Sequence, residues 1–428
     1  MGPGRKIHNF HPAWTLPATF SRDCLKVGSM NETFTIKKRV QSIDLLRGLA
    51  IIVMALDHTR NYFNADAMLF APLDLAQTNV PLFFTRWITH FCAPVFMFLA
   101  GTSAFMIQQR KTKKELSFFL VTRGVWLVFL ELTVINFGWT FNVHFPFFVL
   151  GVIWALGISM IVLSILVYFP YSFVFAIGIL LIAGHNLSDT IHVPGNTFKS
   201  FLWSCLHDPT WEKESSQLIV KGHTVIVDYP VLPWIGVVAL GYCFGNLYKP
   251  GMDVFARRKR LIMLGSASLL LFILVRILNV YGDPHPWATQ ESSVFTVLSF
   301  LKVTKYPPSL QFILLTTGPA ILFLAVAEKY LKDFGKAIIK VGRVPMFFYL
   351  LHIYLIHAFA MIAAKLTGYH LSDMVSHVPL TPTPKGFGFS LPVVYIVWLI
   401  VILVLYPMCG GYDNFKSRHK EKWWLSYL

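Results

Sequence analysis

Residues 39–63 read RVQSIDLLRGLAIIVMALDHTRNYF. An Asp, an Arg and a His stand in a run that is otherwise apolar and long enough to cross a bilayer as a helix. At about 100° per residue, Asp44, Arg47, Ile51, Met54, His58 and Tyr62 fall within roughly 80° of one another. One face is therefore polar at both ends and apolar between. Arg47 and His58 are separated by roughly 16 Å along the axis and about 20° around it, so one elongated ligand could touch both.

The rest of the chain repeats this apolar character. Of 428 residues, 55% are hydrophobic and 14% charged, the mean hydropathy is +0.58, and runs approaching a bilayer-crossing length recur. The fold class that follows is all-α, a polytopic transmembrane helix bundle. A net charge of +16 would point a soluble chain toward nucleic acid. Here the Lys and Arg sit in short clusters between apolar runs, which is the pattern of a topology signal and excludes nucleic acid as a partner. Cys24, Cys92, Cys205, Cys243 and Cys409 form no CxxC pair and no metal spacing, so neither a disulfide framework nor a metal site is expected.

In chain order, residues 1–36 mix Pro, His and polar residues without a sustained period or the apolar core of a cleavable signal. They read as a flexible tail, with Met30 as an alternative start. About ten spans follow, near 43–63, 83–108, 117–137, 146–168, 171–187, 230–248, 261–281, 308–328, 344–365 and 390–408. Their connections alternate in charge. One side receives Lys37 to Arg39, Arg110 to Lys114, Lys249 with Arg257 to Arg260, Lys329 to Arg343, and Lys416 to Lys422. The other receives the loops 64–80, 138–145, 188–229, 282–307 and 366–389. Both termini are thus expected in the cytoplasm, with residues 37–410 as the membrane domain and 411–428 as a basic cytoplasmic tail. The connection 188–229, with Trp203, His207 and Trp211, is placed to cover the outer end of the bundle.

Charges at membrane depth cost about 2.5–3.5 kcal/mol each on insertion scales, so each needs a partner, a cavity or a function. Asp44, Arg47 and Arg123 fall in the cytoplasmic halves of their spans. Asp57, His58, Arg86, His90 and Glu131 fall in the outer halves, and His352 and His357 near the middle of the ninth span. Arg47 and Arg123 suit the phosphates of a cytoplasmic donor, because guanidinium binds phosphate oxygens in bidentate fashion. His58 suits a general base on an acceptor hydroxyl or amine. Asp57 adjoins it in sequence but points about 100° away, which makes Glu131 the better orienting group if the third span packs beside the first. The competing readings are structural. Asp44 and Arg47 could form an i,i+3 ion pair, His90 could support the kink imposed by Pro94, and Gly101 to Ala104 read as a close helix contact. His352 and His357 lie about 140° apart, so a given cavity takes one of them.

The stretch 39–63 resembles the first span of the heparan-alpha-glucosaminide N-acetyltransferase catalytic-domain family and its bacterial relatives, and TRWITHFCAPVFMFLAGTSAF resembles the second. The order Asp44, Arg47, Gly48, His58 is similar to the opening signature of the wider family of membrane acyltransferases acting on surface polysaccharides, whose histidine at that spacing is taken as catalytic. The later segments LPWIGVVALGYCFG and GRVPMFFYLLHIYLIH resemble bacterial relatives in general style. One departure concerns the loop before Arg86, which holds no His, although the animal enzymes place their catalytic histidine there. His58 therefore takes the role through the wider signature, and the heparan substrate does not transfer.

The resemblance implies an integral membrane acyltransferase of a bacterial inner membrane that moves an acyl group, acetyl first among candidates, from cytoplasmic acyl-CoA to a sugar hydroxyl or amine outside. The expected catalytic set is His58, Asp57, Glu131 and His90, and the expected coenzyme set is Arg47, Arg123 and Asp44, without a metal. Its partners are the bilayer and a glycan or amino-sugar acceptor, with a homodimer left open. The alternative is a proton-coupled secondary transporter with a His, Glu and Arg relay; the absence of paired broken helices in two halves counts against it.

Overall fold

The computed structural model describes residues 1–2, 40–209, 218–220, 222–330, 335–377, 383–422 and 424–425. The expected tail 3–36, Met30 and Trp211 lie outside these residues. Each of the ten apolar segments is occupied by helix. The first is α1 (Gln41–Phe63). The second is broken into α2 (Val80–Thr89) and α3 (Cys92–Gln108). The break falls where the Pro94 kink was expected: Pro94 has no N–H to donate to the His90 carbonyl, and the helix restarts just before it, while 80–108 as a whole keeps the length and apolarity of one span. Residues 113–140 run as α4 (Lys113–Leu130), a π-helical turn (Glu131–Ile135) and α5 (Asn136–Thr140).

The span expected to start at 146 instead opens with a strand, β1 (Phe147–Leu150), before α6 (Val152–Leu166). Next come α7 (Tyr171–Gly184), α8 (Phe198–Leu206), the strands β2 (Leu218–Val220) and β3 (His223–Val227), and α9 (Leu232–Phe244). β3 lies between β1, which it pairs in parallel from Phe147↔Thr224 to Leu150↔Val227, and β2, which it pairs antiparallel. The long connection before α9 thus contributes two strands of its own, and an otherwise helical molecule carries one small sheet.

The second half holds α10 (Val254–Leu278), α11 (Ser293–Leu301), α12 (Leu310–Tyr330), α13 (Gly335–Arg343), α14 (Pro345–Leu366) and α15 (Leu391–Arg418). α15 continues unbroken through position 410. Among the described residues, seven helical stretches, 80–108, 113–140, 171–188, 254–278, 310–328, 345–366 and 391–418, are long and apolar enough to cross a membrane, and α6 and α9 are shorter apolar helices. Polar side chains mark several starts. Thr112 and Glu115 form a reciprocal capping box on α4, and Asp253 accepts from the Ala256 N–H at the head of α10. Arg257, read from sequence only as a topology anchor, makes a two-oxygen ion pair with Glu328 at 2.9 and 3.0 Å that ties α10 to α12.

α1 lies at the centre. It packs against α2, α3, α12, α13, α14 and α15. Its approach to α13 is backbone on backbone, because a Cβ at Gly342 would stand 1.8 Å from the Asp44 carbonyl oxygen and one at Gly48 would stand 2.2 Å from that of Ile338. The small-residue run in α3 makes the close contact expected of it. A Cβ on Gly101 would sit 2.0 Å from the Val238 carbonyl of α9, and Thr102 Oγ1 donates to the Gly241 carbonyl at 3.0 Å.

Candidate active site

The last third of α1 and the middle of α14 meet through two imidazoles. His58 Nδ1 lies 2.6 Å from His352 Nε2, and the rings stack at 4.9 Å between centroids. His352 Nδ1 in turn lies 3.1 Å from the Phe348 carbonyl oxygen, one turn back on its own helix. A carbonyl only accepts, so His352 carries its proton on Nδ1 and offers the Nε2 lone pair. His58 must then donate from Nδ1, which leaves His58 Nε2 as an unprotonated acceptor. His352 is fully buried and His58 only partly. Trp139 packs edge-on against the His58 ring at 4.8 Å, with Tyr349 farther off at 6.3 Å. An imidazole held in one tautomer by a buried partner can serve as a general base.

Beside this base lies a cluster rich in cations. Asp57 accepts from Arg60 at 3.2 Å and from Arg86 of α2, and Arg60 also donates to Asn61 at 2.6 Å. Lys305, itself buried, sits over the rings of Tyr306 and Tyr229 at 4.9 and 5.7 Å. Arg60, Arg86 and Lys305 all act electrostatically on Asp57 and His58. Three cations around one carboxylate leave this end of α1 net positive, which suits negative charge developing on a reacting group.

The remaining expected site residues are placed as follows. Glu131 does not reach His58. Its buried carboxylate accepts from the Ile153 and Trp154 N–H groups at 2.8 and 3.0 Å and caps the start of α6 from the neighbouring helix. His90 is buried at the break between α2 and α3, its ring 5.4 Å from that of Phe312 and its Nδ1 without a hydrogen bond. At the opposite end of α1, Asp44 and Arg47 form the i,i+3 pair at 3.1 Å, and Arg47 also donates to Ser103 Oγ at 3.0 Å. Arg47 thereby joins α1 to α3 and keeps 15% of its side chain exposed, so it can still meet a ligand. Arg123 lies over the Phe119 ring at 6.0 Å on α4, whose main packing partner is α6. The structure thus unites Asp57 and His58 with Arg86, and Asp44 with Arg47. Glu131 serves a different helix.

His357 faces another way from His352, as their angular separation requires. It lies between the Gly138 and Met374 carbonyls at 3.0 and 2.9 Å and stacks on Phe141 at 3.9 Å. Sequence reasoning names His352 beside His357 as one of two intramembrane histidines without pairing it to His58, and it leaves Lys305 in a loop. Only the cost of burying either one marks it. The four described cysteines are free thiols. Burial pushes the thiol of Cys205 up to about 12, so it stays protonated at neutral pH and offers no nucleophile.

No curated protein matches this sequence. A family model does: that of the catalytic region of heparan-alpha-glucosaminide N-acetyltransferase, over residues 39–277, more than half of the 428-residue chain. The matched segment carries α1 with His58, Asp57 and Arg47, as well as Arg86 and Glu131, so the chain belongs to the heparan-alpha-glucosaminide N-acetyltransferase catalytic family of acetyl-CoA-using membrane transferases.

Proposed function

We propose that this protein carries an acetyl group from acyl-CoA on the cytoplasmic side to a sugar hydroxyl or amine on the other side, with both chain termini in the cytoplasm. The observation that carries the reading is the 2.6 Å bond between His58 Nδ1 and His352 Nε2, which supports a free base at His58 Nε2. That nitrogen takes the proton of the acceptor O–H or N–H, and the acceptor atom attacks the thioester carbonyl. The tetrahedral intermediate bears an oxyanion, next to which Arg86, Arg60 and Lys305 supply positive charge. Collapse breaks the C–S bond, and His58 returns its proton to the departing coenzyme A thiolate. Direct transfer is favoured because no described cysteine is activated.

Arg47, at the far end of the same helix, supports the coenzyme phosphates; the roughly 16 Å between Arg47 and His58 on a helix is comparable with a pantetheine arm. The alternating Lys and Arg clusters support this orientation. The family name supports an amino-sugar or glycan acceptor. Incubation of the purified chain with labelled acetyl-CoA and a panel of amino sugars and glycans tests the proposal. Label transfer that is lost in His58→Ala supports it. Proton-coupled uptake into vesicles, with no transfer to any acceptor, overturns it.

A further inference from the structure

A second group of histidines lies outside the reaction centre, where α7 ends and the connection to α9 begins. His185 opens a short 3-10 turn (His185–Ser188) that extends α7, Asp189 follows that turn, and His207 terminates α8. One ligand atom from each of the three lies within 4.8 Å of the other two. His207 Nε2 is 3.0 Å from Asp189 Oδ1, and the two imidazole rings are 5.4 Å apart at 61°. Asn186 donates to Asp189 Oδ2 at 2.9 Å, which orients the carboxylate with Oδ1 toward the histidines.

The imidazoles are under-satisfied. His185 is 5% exposed and neither ring nitrogen completes a well-formed hydrogen bond, the Pro308 backbone being an acceptor within reach, and His207 is 2% exposed with Nδ1 unpartnered. Leaving such groups buried and unpaired costs about 1–3 kcal/mol each. A cation at the centre of the three would draw one lone pair from each imidazole and one oxygen from the carboxylate.

We propose that His185, Asp189 and His207 bind one Zn²⁺ ion that ties α8 to the end of α7. Two imidazoles and a carboxylate are the borderline donor set that Zn²⁺ prefers, with a water completing the tetrahedron. Bonds of about 2.0–2.2 Å set the ligand atoms roughly 3.4 Å apart. The His207–Asp189 pair is already near that separation, and a side-chain rotation of His185 closes the remainder. Binding at Nε2 replaces the His207–Asp189 hydrogen bond, and the proton that Nε2 carried passes to Nδ1 of the same ring.

The test uses the full chain in detergent, affinity tag removed, with bound metal measured by plasma mass spectrometry. About one zinc per chain is expected. His207→Ala lowers this below a tenth, whereas His192→Ala, which removes the exposed histidine paired with Asp208 on the same connection, leaves it unchanged. On the unsubstituted protein, a zinc chelator lowers the Tm by a few degrees and added zinc restores it. This arm stands even if a variant fails to fold. Zinc below a tenth per chain after saturation, zinc retained by His207→Ala, or zinc lost instead from His352→Ala overturns the assignment; the last would place the ion at the His58 pair.

Discussion

Replacing His352 by Ala removes the group that, on the proposed mechanism, holds His58 in its basic tautomer. The bond lost is 2.6 Å long and its acceptor is fully buried. Once it is gone, His58 Nδ1–H is unsatisfied in an apolar wall formed in part by Trp139. That penalty of about 1–3 kcal/mol is relieved when the proton moves to Nε2, the tautomer that cannot accept from a substrate. At 1.36 kcal/mol per decade, turnover should fall about 5- to 150-fold. The loss should appear in kcat with KM for acetyl-CoA unchanged, because His352 is remote from Arg47. His352→Gln restores an acceptor oxygen and should recover part of the rate, whereas His58→Ala should lose the whole contribution of the base, about 10²–10⁴-fold. The assay is label transfer from acetyl-CoA by purified variants of matched monodispersity. Turnover of His352→Ala within twofold of the unsubstituted enzyme would refute the tautomer relay, and so would equal losses in the Ala and Gln variants with KM rising in step.

Two further outcomes follow from the packing. Glu131→Ala should lower stability by about 1–3 kcal/mol, since two buried N–H groups at the start of α6 lose their acceptor. Glu131→Gln should keep near-normal turnover per folded molecule, measured by thermal shift alongside label transfer; a hundredfold rate loss in a folded Gln variant would return Glu131 to catalysis. Gly342→Ala drives a Cβ to 1.8 Å from the Asp44 carbonyl and should part α1 from α13 at a cost of 1–3 kcal/mol or more, whereas Gly410→Ala, with nothing within 4 Å, should be neutral. Size-exclusion profiles and melting curves of the two variants decide.

What the sequence discloses follows from how far apart the cooperating residues lie. The apolar segments, the Asp44–Arg47 pair and the Gly101 contact are local in composition or spacing, and each is visible in a window of a few turns. The break at His90 is also local, announced by Pro94 four residues on. β1 is hidden: FFVL is as apolar as the helix behind it, and only its pairing with β3, 77 positions later by the Phe147↔Thr224 register, makes it a strand. Glu131 looks like a partner for His58 because depth alone was available; the π-helical turn that aims it at α6 has no sequence signature. The site proper is the least legible part. His58 and His352 are 294 positions apart, and the matched family segment ends before His352 is reached. The proposed zinc ligands lie 4 and 18 positions apart, with His and Asp donors that a search organised around cysteine passes over.

That separation also orders biogenesis. At translation rates of about 5–20 residues per second, the 294 residues between the two histidines take roughly 15–60 s to synthesise. During that interval α1 must reside in the translocon or the lipid with its imidazole alone. Its charges need not wait. Asp57 finds Arg60 within its own helix and Arg86 only 29 positions later, so the first hairpin can pair its buried carboxylate at the moment of insertion. Charge pairing is thus completed early, whereas the proposed base gains its partner only when the ninth apolar segment has joined the bundle.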